Sequence, residues 1–510
     1  TGTPAAQALY AKGQKAQSAG NDAAALQYFQ RAIAADPGYA DAQSDYVFAY
    51  QLAAEKKQTA AGKPAAGPSA TDQLTARYQA LAAAHPRDPV YPWVLGSLCD
   101  EDHPQQAIAY YRQALQLDPR YAPAYAHLSY LDESRGDLAA SREDLHQAAL
   151  LQPHSPKAQF NYAYSFKNDD PARFRQLSEQ VVRDYPRDPV AGQVLYWLAE
   201  SASTDQARLR YLLQLRQGNI PGDWVTSGDE LLFEIYDRTD RAQALAVARE
   251  MAKADADGYT AVLNYAQAMS QADAWLAKGN GNKALAALGN EHLPRYMPQQ
   301  PLALMRARAQ AAAGQPQAAY DGLLDFVAKT PTPATLSALL DSGRKLGKSP
   351  TQVANAVWAA RAHTAHAAVS FDLANYQTGK QTSLADLRGH VFLLNFFFPM
   401  CGPCRGEFPY IRTVLNKYRS QGFRIVTINV EPQRDAFVLP ELKGFGLDFI
   451  PLRGSNEWAK KNYKVRGEPT SFLIGADGRV YFGPIAPVSS PDSQQTLEMQ
   501  IAALLRHAAR

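Results

Sequence analysis

Through the first two thirds of the chain, apolar residues recur every third or fourth position among Ala, Gln, Arg and Asp. That period places apolar side chains on one face of a helix. Asp36-Pro37, His85-Pro86, Asp118-Pro119, Gln152-Pro153 and Tyr185-Pro186 each follow such a run. Proline lacks an N–H and is tolerated at a helix start but not inside one, so each marks a turn between helices. Pro86, Pro119, Pro153 and Pro186 fall 33, 34 and 33 residues apart. Pro37 to Pro86 is longer, and residues 54–72 break the register with Ala, Gly, Pro and Ser, which predicts a loop or linker. From about 190 to 365 the pattern degenerates but stays helical. Gly279 to Ala284 and Gly314 to Tyr320 read as turn-then-helix signals, and Leu336 to Ala367 as further helices.

The pattern changes near residue 366. Phe371 to Leu373 and Leu384 to Gly389 bracket a Gln377-Thr378-Gly379-Lys380 turn, which predicts a hairpin and a short helical turn. Val391 to Phe398 is short, apolar on both faces and aromatic, the signature of a buried central strand. A helix follows from Arg405 to Tyr418, with Pro409 expected to kink it. Phe423 to Val430 predicts a second, parallel strand. Ala436 to Gly446 and Glu457 to Tyr463 predict helices. Thr470 to Ile474 and Arg479 to Phe482 predict a hairpin across Gly475-Ala476-Asp477-Gly478, and Ser493 to Ala509 a closing amphipathic helix.

The 33–34-residue period, with segments such as Pro104 to Pro119 and Gly136 to Pro153, resembles the tetratricopeptide repeat family. One hairpin cannot bury its apolar face alone, so such repeats stack into a superhelix with a concave groove. Tyr110, Tyr111, Tyr121 and Tyr125 suit helix packing, with an aromatic peptide groove as the sharper alternative. His85, His103, His127, His146 and His154 lack metal-ligand spacing and read as surface or packing residues. The fold class expected is therefore multi-domain. Residues 1–365 form an all-α, tetratricopeptide-like solenoid, and residues 366–510 an α/β domain.

Composition narrows the function. A chain of 510 residues is long enough to bury cores without covalent staples, and it holds three cysteines, Cys99, Cys401 and Cys404. The formal charge of +3, with no long basic cluster, argues against nucleic acid as a partner. No run of 18 or more apolar residues is present, so no membrane span is expected. The chain opens at Thr1 without a signal peptide, which fits either a processed or a shortened chain.

The chemistry concentrates at Met400-Cys401-Gly402-Pro403-Cys404, between the predicted central strand and its helix. A helix N-terminus offers unsatisfied N–H groups and the positive end of the helix dipole, which stabilise a thiolate. Cys401 is the candidate nucleophile. Cys404, one turn on, can close a disulfide and release a mixed-disulfide partner. Cys99 reads as a small apolar residue between helices.

The order of elements after residue 366 is that of a thioredoxin fold, and the segment resembles the TlpA/ResA-type thioredoxin-like family. The resemblance rests on the Phe-x-Leu hairpin, the Ser-Leu-x-Asp-Leu-x-Gly lead-in, the Asn-Phe strand and Cys-Gly-Pro-Cys-Arg-Gly-Glu-Phe-Pro at 401–409. Asn429-Val430-Glu431 and Tyr463 to Ile474 complete it. It departs at Met400, where the family usually has Trp, which would alter the substrate-facing rim. The resemblance implies that Glu407 is an active-site acid accepting the Cys404 proton. It implies that Glu468-Pro469 is a cis-proline site opposite Cys401, whose backbone pairs with an extended substrate. With Met400 and Pro403 these residues would line the substrate site.

The cysteine pair and the resemblance together point to a thiol–disulfide oxidoreductase. Its redox group is its own Cys401–Cys404 disulfide, with no further cofactor and no metal. The Gly402-Pro403 dipeptide is that of thioredoxin, so a reductase is favoured. The substrate is a protein disulfide or dithiol, and the repeats recruit a protein or peptide. The resemblance implies an extracytoplasmic, periplasmic setting, compatible with tethering through a removed N-terminal segment. Three alternatives stay open. A zinc half-site would need further ligands, which His390 and His507 do not supply at suitable spacing. A thioredoxin-fold peroxidase would have a Thr before its Cys and a distant resolving Cys. A repeat scaffold would carry a redox-inert module.

Overall fold

A computed structural model describes residues 2–61, 67–99, 103–289, 297 and 299–508. The chain divides into two compact units, Thr1–Ser165 and Phe166–Arg510. The division falls inside the helical region, so the second unit holds both the later hairpins and the sheet.

In the first unit, successive helices pair as hairpins. Pro104–Leu117 lies against Ala122–Ser134, and Leu138–Leu151 follows. Pro104, Pro123 and Pro156 stand in the first turn of their helices, where a missing N–H carries no penalty, whereas Pro119 and Pro153 of the 33–34-residue series lie in the turns before the helices. Asn21, Asp137 and Ser155 cap helix starts by accepting backbone N–H groups three residues on. The core joins Phe29, Tyr46, Tyr78, Trp93, Val94, Tyr111 and Leu131. Gly96 lets two helices meet, because a Cβ there would lie 2.5 Å from the Tyr111 ring. Tyr110 and Tyr121 pack against this core, and Tyr111 is buried in it with its hydroxyl on His127 at 3.0 Å. His85 and His146 stack on Tyr91 and Tyr162.

The expected loop over 54–72 is corrected at both ends. The helix Ala40–Ala61 runs through its first part, and Ala70–Ala84 begins before its end, while residues 62–66 lie outside the described residues. Ala, Glu, Lys and Gln at 53–58 are strong helix formers, so propensity carries the helix where the apolar period fades. Ser69 and Asp72 form a capping box that starts the second helix.

In the second unit, helices from Pro171–Asp184 to Pro350–Thr364 lead into a six-stranded sheet. Its strands are β1 (His366–Ala367), β4 (Phe392–Phe397), β5 (Arg424–Asn429), β6 (Ile450–Arg453), β7 (Thr470–Ile474) and β8 (Arg479–Ile485), in the order β1-β8-β7-β4-β5-β6. The chain runs β4, β5 and β6 parallel and β7 and β8 antiparallel. A separate hairpin pairs β2 (Asp372–Ala374) with β3 (Gln381–Ser383). Two strands were not predicted. β1 takes His366 and Ala367 from the predicted helix, which ends at Thr364. β6 contains Pro451, which argues against a central strand, and it is tolerated because β6 is the sheet edge.

All six residues of β4 are buried, with Leu393 and Phe397 in one apolar cluster and Phe392, Leu394 and Phe396 in the other. Asn395 falls on the Leu393 face, beneath the Gly402–Tyr418 helix. The repeat helices dock directly on this domain. Trp358 stacks on Tyr481 and His507, and the buried Arg361 donates to the Ala328 carbonyl and lies over the Phe482 ring.

Candidate redox site

β4 ends at Phe397, and three residues later the chain turns into the Gly402–Tyr418 helix with Cys401 as its N-cap. Cys401 and Cys404 are joined by a disulfide. The Cys404 N–H points at Cys401 Sγ, 3.2 Å away. Both cysteines are buried, whereas Gly402 and Pro403 are exposed between them. Cys401 Sγ also lies 3.9 Å from the Glu468 carbonyl oxygen, and the Glu468–Pro469 peptide is cis. The structure therefore brings Cys401, Cys404, Pro403, Met400, Glu468 and Pro469 into one place. Cys99 belongs to the first unit, its Sγ 3.3 Å from the Leu95 carbonyl.

Glu407 sits one turn below Cys404 and is buried rather than solvated, with 2% exposure. Among the described residues its hydrogen-bond partners are neutral. Asn395 Nδ2 donates at 2.7 Å and the Val488 N–H at 3.2 Å. Burial disfavours the carboxylate more than these donors favour it, so its pKa is pushed up to about 7. Asn395 in turn donates to Ser471 Oγ and accepts from Thr427 Oγ1. This explains a polar residue in an otherwise apolar strand.

Sequence reasoning missed Glu441. It lies on the helix Asp435–Gly444, is fully buried and accepts the Met400 N–H at 2.9 Å. Arg405, beside Cys404 in the chain, donates to both of its carboxylate oxygens at 3.1 Å. In the sequence Pro440-Glu441-Leu442-Lys443 looks like an exposed stretch, so the usable signal was Arg405, a charge needing a partner beside the buried cysteines. Val488 was equally invisible, because its contribution is a backbone N–H.

Residues 363–497 match the Redoxin family model, and residues 100–121 match the tetratricopeptide repeat model. Thiol-disulfide oxidoreductase ResA of Bacillus subtilis (strain 168) is 36% identical over 102 residues, 20% of this chain and 56% of the relative. ResA of Geobacillus thermodenitrificans (strain NG80-2) is 33% identical over 121 residues, 24% of this chain and 68% of the relative. Through this domain the chain belongs to the ResA-like thiol-disulfide oxidoreductase family. It spans 56% to 58% of the first ResA proteins it matches. A solved thiol:disulfide interchange protein of the thioredoxin family from Chlorobium tepidum TLS is 29% identical, covering 28% of this chain and 97% of its own, with a TM-score of 0.24. The Redoxin match covers the sheet domain that carries Cys401 and Cys404. No helix among the described residues is long and apolar enough to cross a membrane.

Proposed function

We propose that this protein reduces disulfides in protein substrates through Cys401 and Cys404, with the helical repeats recruiting a protein partner. The observation that carries the reading is the stacking of three features. Cys401 Sγ sits on the N-terminus of its helix, 3.2 Å from the Cys404 N–H. The Glu468 carbonyl faces it at 3.9 Å, and Glu407, with a pKa of about 7, lies beneath Cys404. In the reduced enzyme the Cys401 thiolate attacks one sulfur of the substrate disulfide. A mixed disulfide forms and one substrate thiolate leaves. Glu407 accepts the Cys404 proton, and Cys404 attacks Cys401 Sγ. The second substrate thiolate leaves, and the enzyme keeps its Cys401–Cys404 disulfide. Two electrons and, after protonation, two protons have moved to the substrate, so a dithiol donor must return them. The backbone at Glu468-Pro469 holds the substrate segment as an added strand, with Met400 and Pro403 as the rim.

Family membership also supports an extracytoplasmic, periplasmic setting. The redox group is the disulfide itself, with no further cofactor. The test uses the full chain and insulin as a disulfide substrate, with dithiothreitol as donor. Wild type turns over, Cys401→Ser does not, and Cys404→Ser accumulates a mixed disulfide with insulin. A wild-type chain no faster than Cys401→Ser overturns the proposal. For the repeats, chemical cross-linking of complexes trapped by Cys404→Ser from a periplasmic extract is expected to reach helices before residue 365. Cross-links confined to 366–510 would remove the recruiting role.

A further inference from the structure

The residue before Cys401 adopts a conformation that its side chain does not favour. Met400 has φ 69°, in the left-handed region where the Cβ of a non-glycine residue crowds its own backbone. Nothing in a methionine side chain supports this, so the surroundings must hold it. They do so through one peptide group, the unit joining Pro399 to Met400. Its N–H donates to Glu441 Oε2 at 2.9 Å, and its carbonyl accepts from Arg434 Nη1 at 3.1 Å. Each of those side chains has a countercharge. Arg405 forks onto both oxygens of Glu441, and Arg434 Nε lies 2.9 Å from Glu431 Oε2. The guanidinium of Arg434 also lies over the Phe398 ring. Two acids and two arginines, one Glu–Arg pair on each side, thus grip a single peptide bond next to the sulfur of Cys401.

The burial of this arrangement is what makes it electrostatically effective. The side chains of Glu441 and Arg405 are 0% and 11% exposed, and those of Arg434 and Glu431 16% and 19%. At such depth a unit charge acts over ~10 Å with an effective dielectric near ~20 rather than that of water. The other charged groups that face the site are Glu407, below Cys404, and Glu468, whose carboxyl is raised by burial and by Glu431 and lies near Lys460.

We infer that Glu441, Arg405, Arg434 and Glu431 form a charge-balanced clamp on the Pro399–Met400 peptide, and that its balance sets how readily Cys401 ionises. Glu441 and Arg434 are positioning residues. They act on Cys401 through the peptide they hold and through their fields. The inference rests on the thiol chemistry proposed above and names the regulation of its nucleophile.

The test removes one charge from each end of the same peptide. Glu441→Gln keeps the shape and an oxygen acceptor but removes one buried negative charge from the clamp. Arg434→Gln removes one positive charge from its other end. In the reduced full-length protein, iodoacetamide labelling at the Cys401 peptide is followed against pH by mass spectrometry. Glu441→Gln is expected to increase Cys401 ionisation about tenfold and to raise the potential of the Cys401–Cys404 pair. Arg434→Gln is expected to decrease ionisation several-fold and to lower the potential. A clamp that merely braces the loop would loosen it in either variant and move both values the same way. Shifts in one direction, or none, overturn the inference. If Glu441→Gln fails to fold, the charge-neutral double variant Glu441→Gln with Arg405→Gln takes its place. It is expected to label like wild type, and a tenfold change there overturns the inference. Labelling does not depend on turnover. An inactive wild type therefore refutes the proposed function, whereas an active wild type with unmoved variants refutes the clamp.

Discussion

Asp237 in the repeat helices and Glu407 under the disulfide are buried alike, at 3% and 2% exposure. Their partners differ in kind. Asp237 forms an ion pair with Arg241 and accepts from the Tyr265 hydroxyl at 2.8 Å. Burial raises its pKa, but Arg241 and Tyr265 pull it back. Glu407 has an amide and a backbone N–H as partners, so among the described residues no cationic partner offsets its burial, and its pKa stands at about 7. Depth alone therefore does not make a proton acceptor. A buried acid with a guanidinium is a structural strut, and one with neutral donors is poised to titrate. Glu441, gripped by Arg405, belongs with Asp237 in chemistry although it lies beside the cysteines.

Four substitutions probe this contrast, from the largest effect down. Arg241→Met strands the Asp237 charge and should destabilise the protein by about 3–5 kcal/mol in urea unfolding, with the Cys401–Cys404 potential unchanged. A changed potential would mean that the repeats and the site are coupled. Glu407→Gln should remove a pH dependence instead. Between the ordinary carboxyl value of 4.5 and about 7 the folded chain holds the extra proton. Its contribution is full below 4.5 and is lost as pH rises through about 7, by up to about 3 kcal/mol. The stability difference between wild type and Glu407→Gln should fall across that window. A constant difference would show that Glu407 is not neutral at low pH. Resolution of the mixed disulfide should also slow about a hundredfold and lose its inflection near 7.

The two smaller effects belong to the repeats. Gly96→Ala forces a Cβ toward the Tyr111 ring and should destabilise the first unit by about 1–3 kcal/mol, read by urea unfolding. Asp137→Ala removes a helix cap, worth about 1 kcal/mol by the same measurement. Neither should alter iodoacetamide labelling of Cys401, and a shift in either would blur the division between strut and site.

The sequence by itself determined the local features. A 3.6-residue apolar period with prolines 33–34 residues apart specifies stacked hairpins, because each helix must bury one face and proline can stand at its start but not inside it. A short apolar strand running into Cys-Gly-Pro-Cys specifies where the thiols sit, since the helix N-terminus is fixed by the same residues. Even Glu407 was legible as a position, although not as a fully buried group. Tertiary structure decided the rest. Residue 54 onward stays helical because propensity outweighs a lost period, and Pro451 enters a strand because that strand is an edge. Val488 reaches Glu407 from 81 residues away, and Glu441 reaches Met400 from 41. Contacts of that separation leave no periodic trace along the chain. They depend on which elements the sheet brings side by side, and at this site they set the charge around the sulfur.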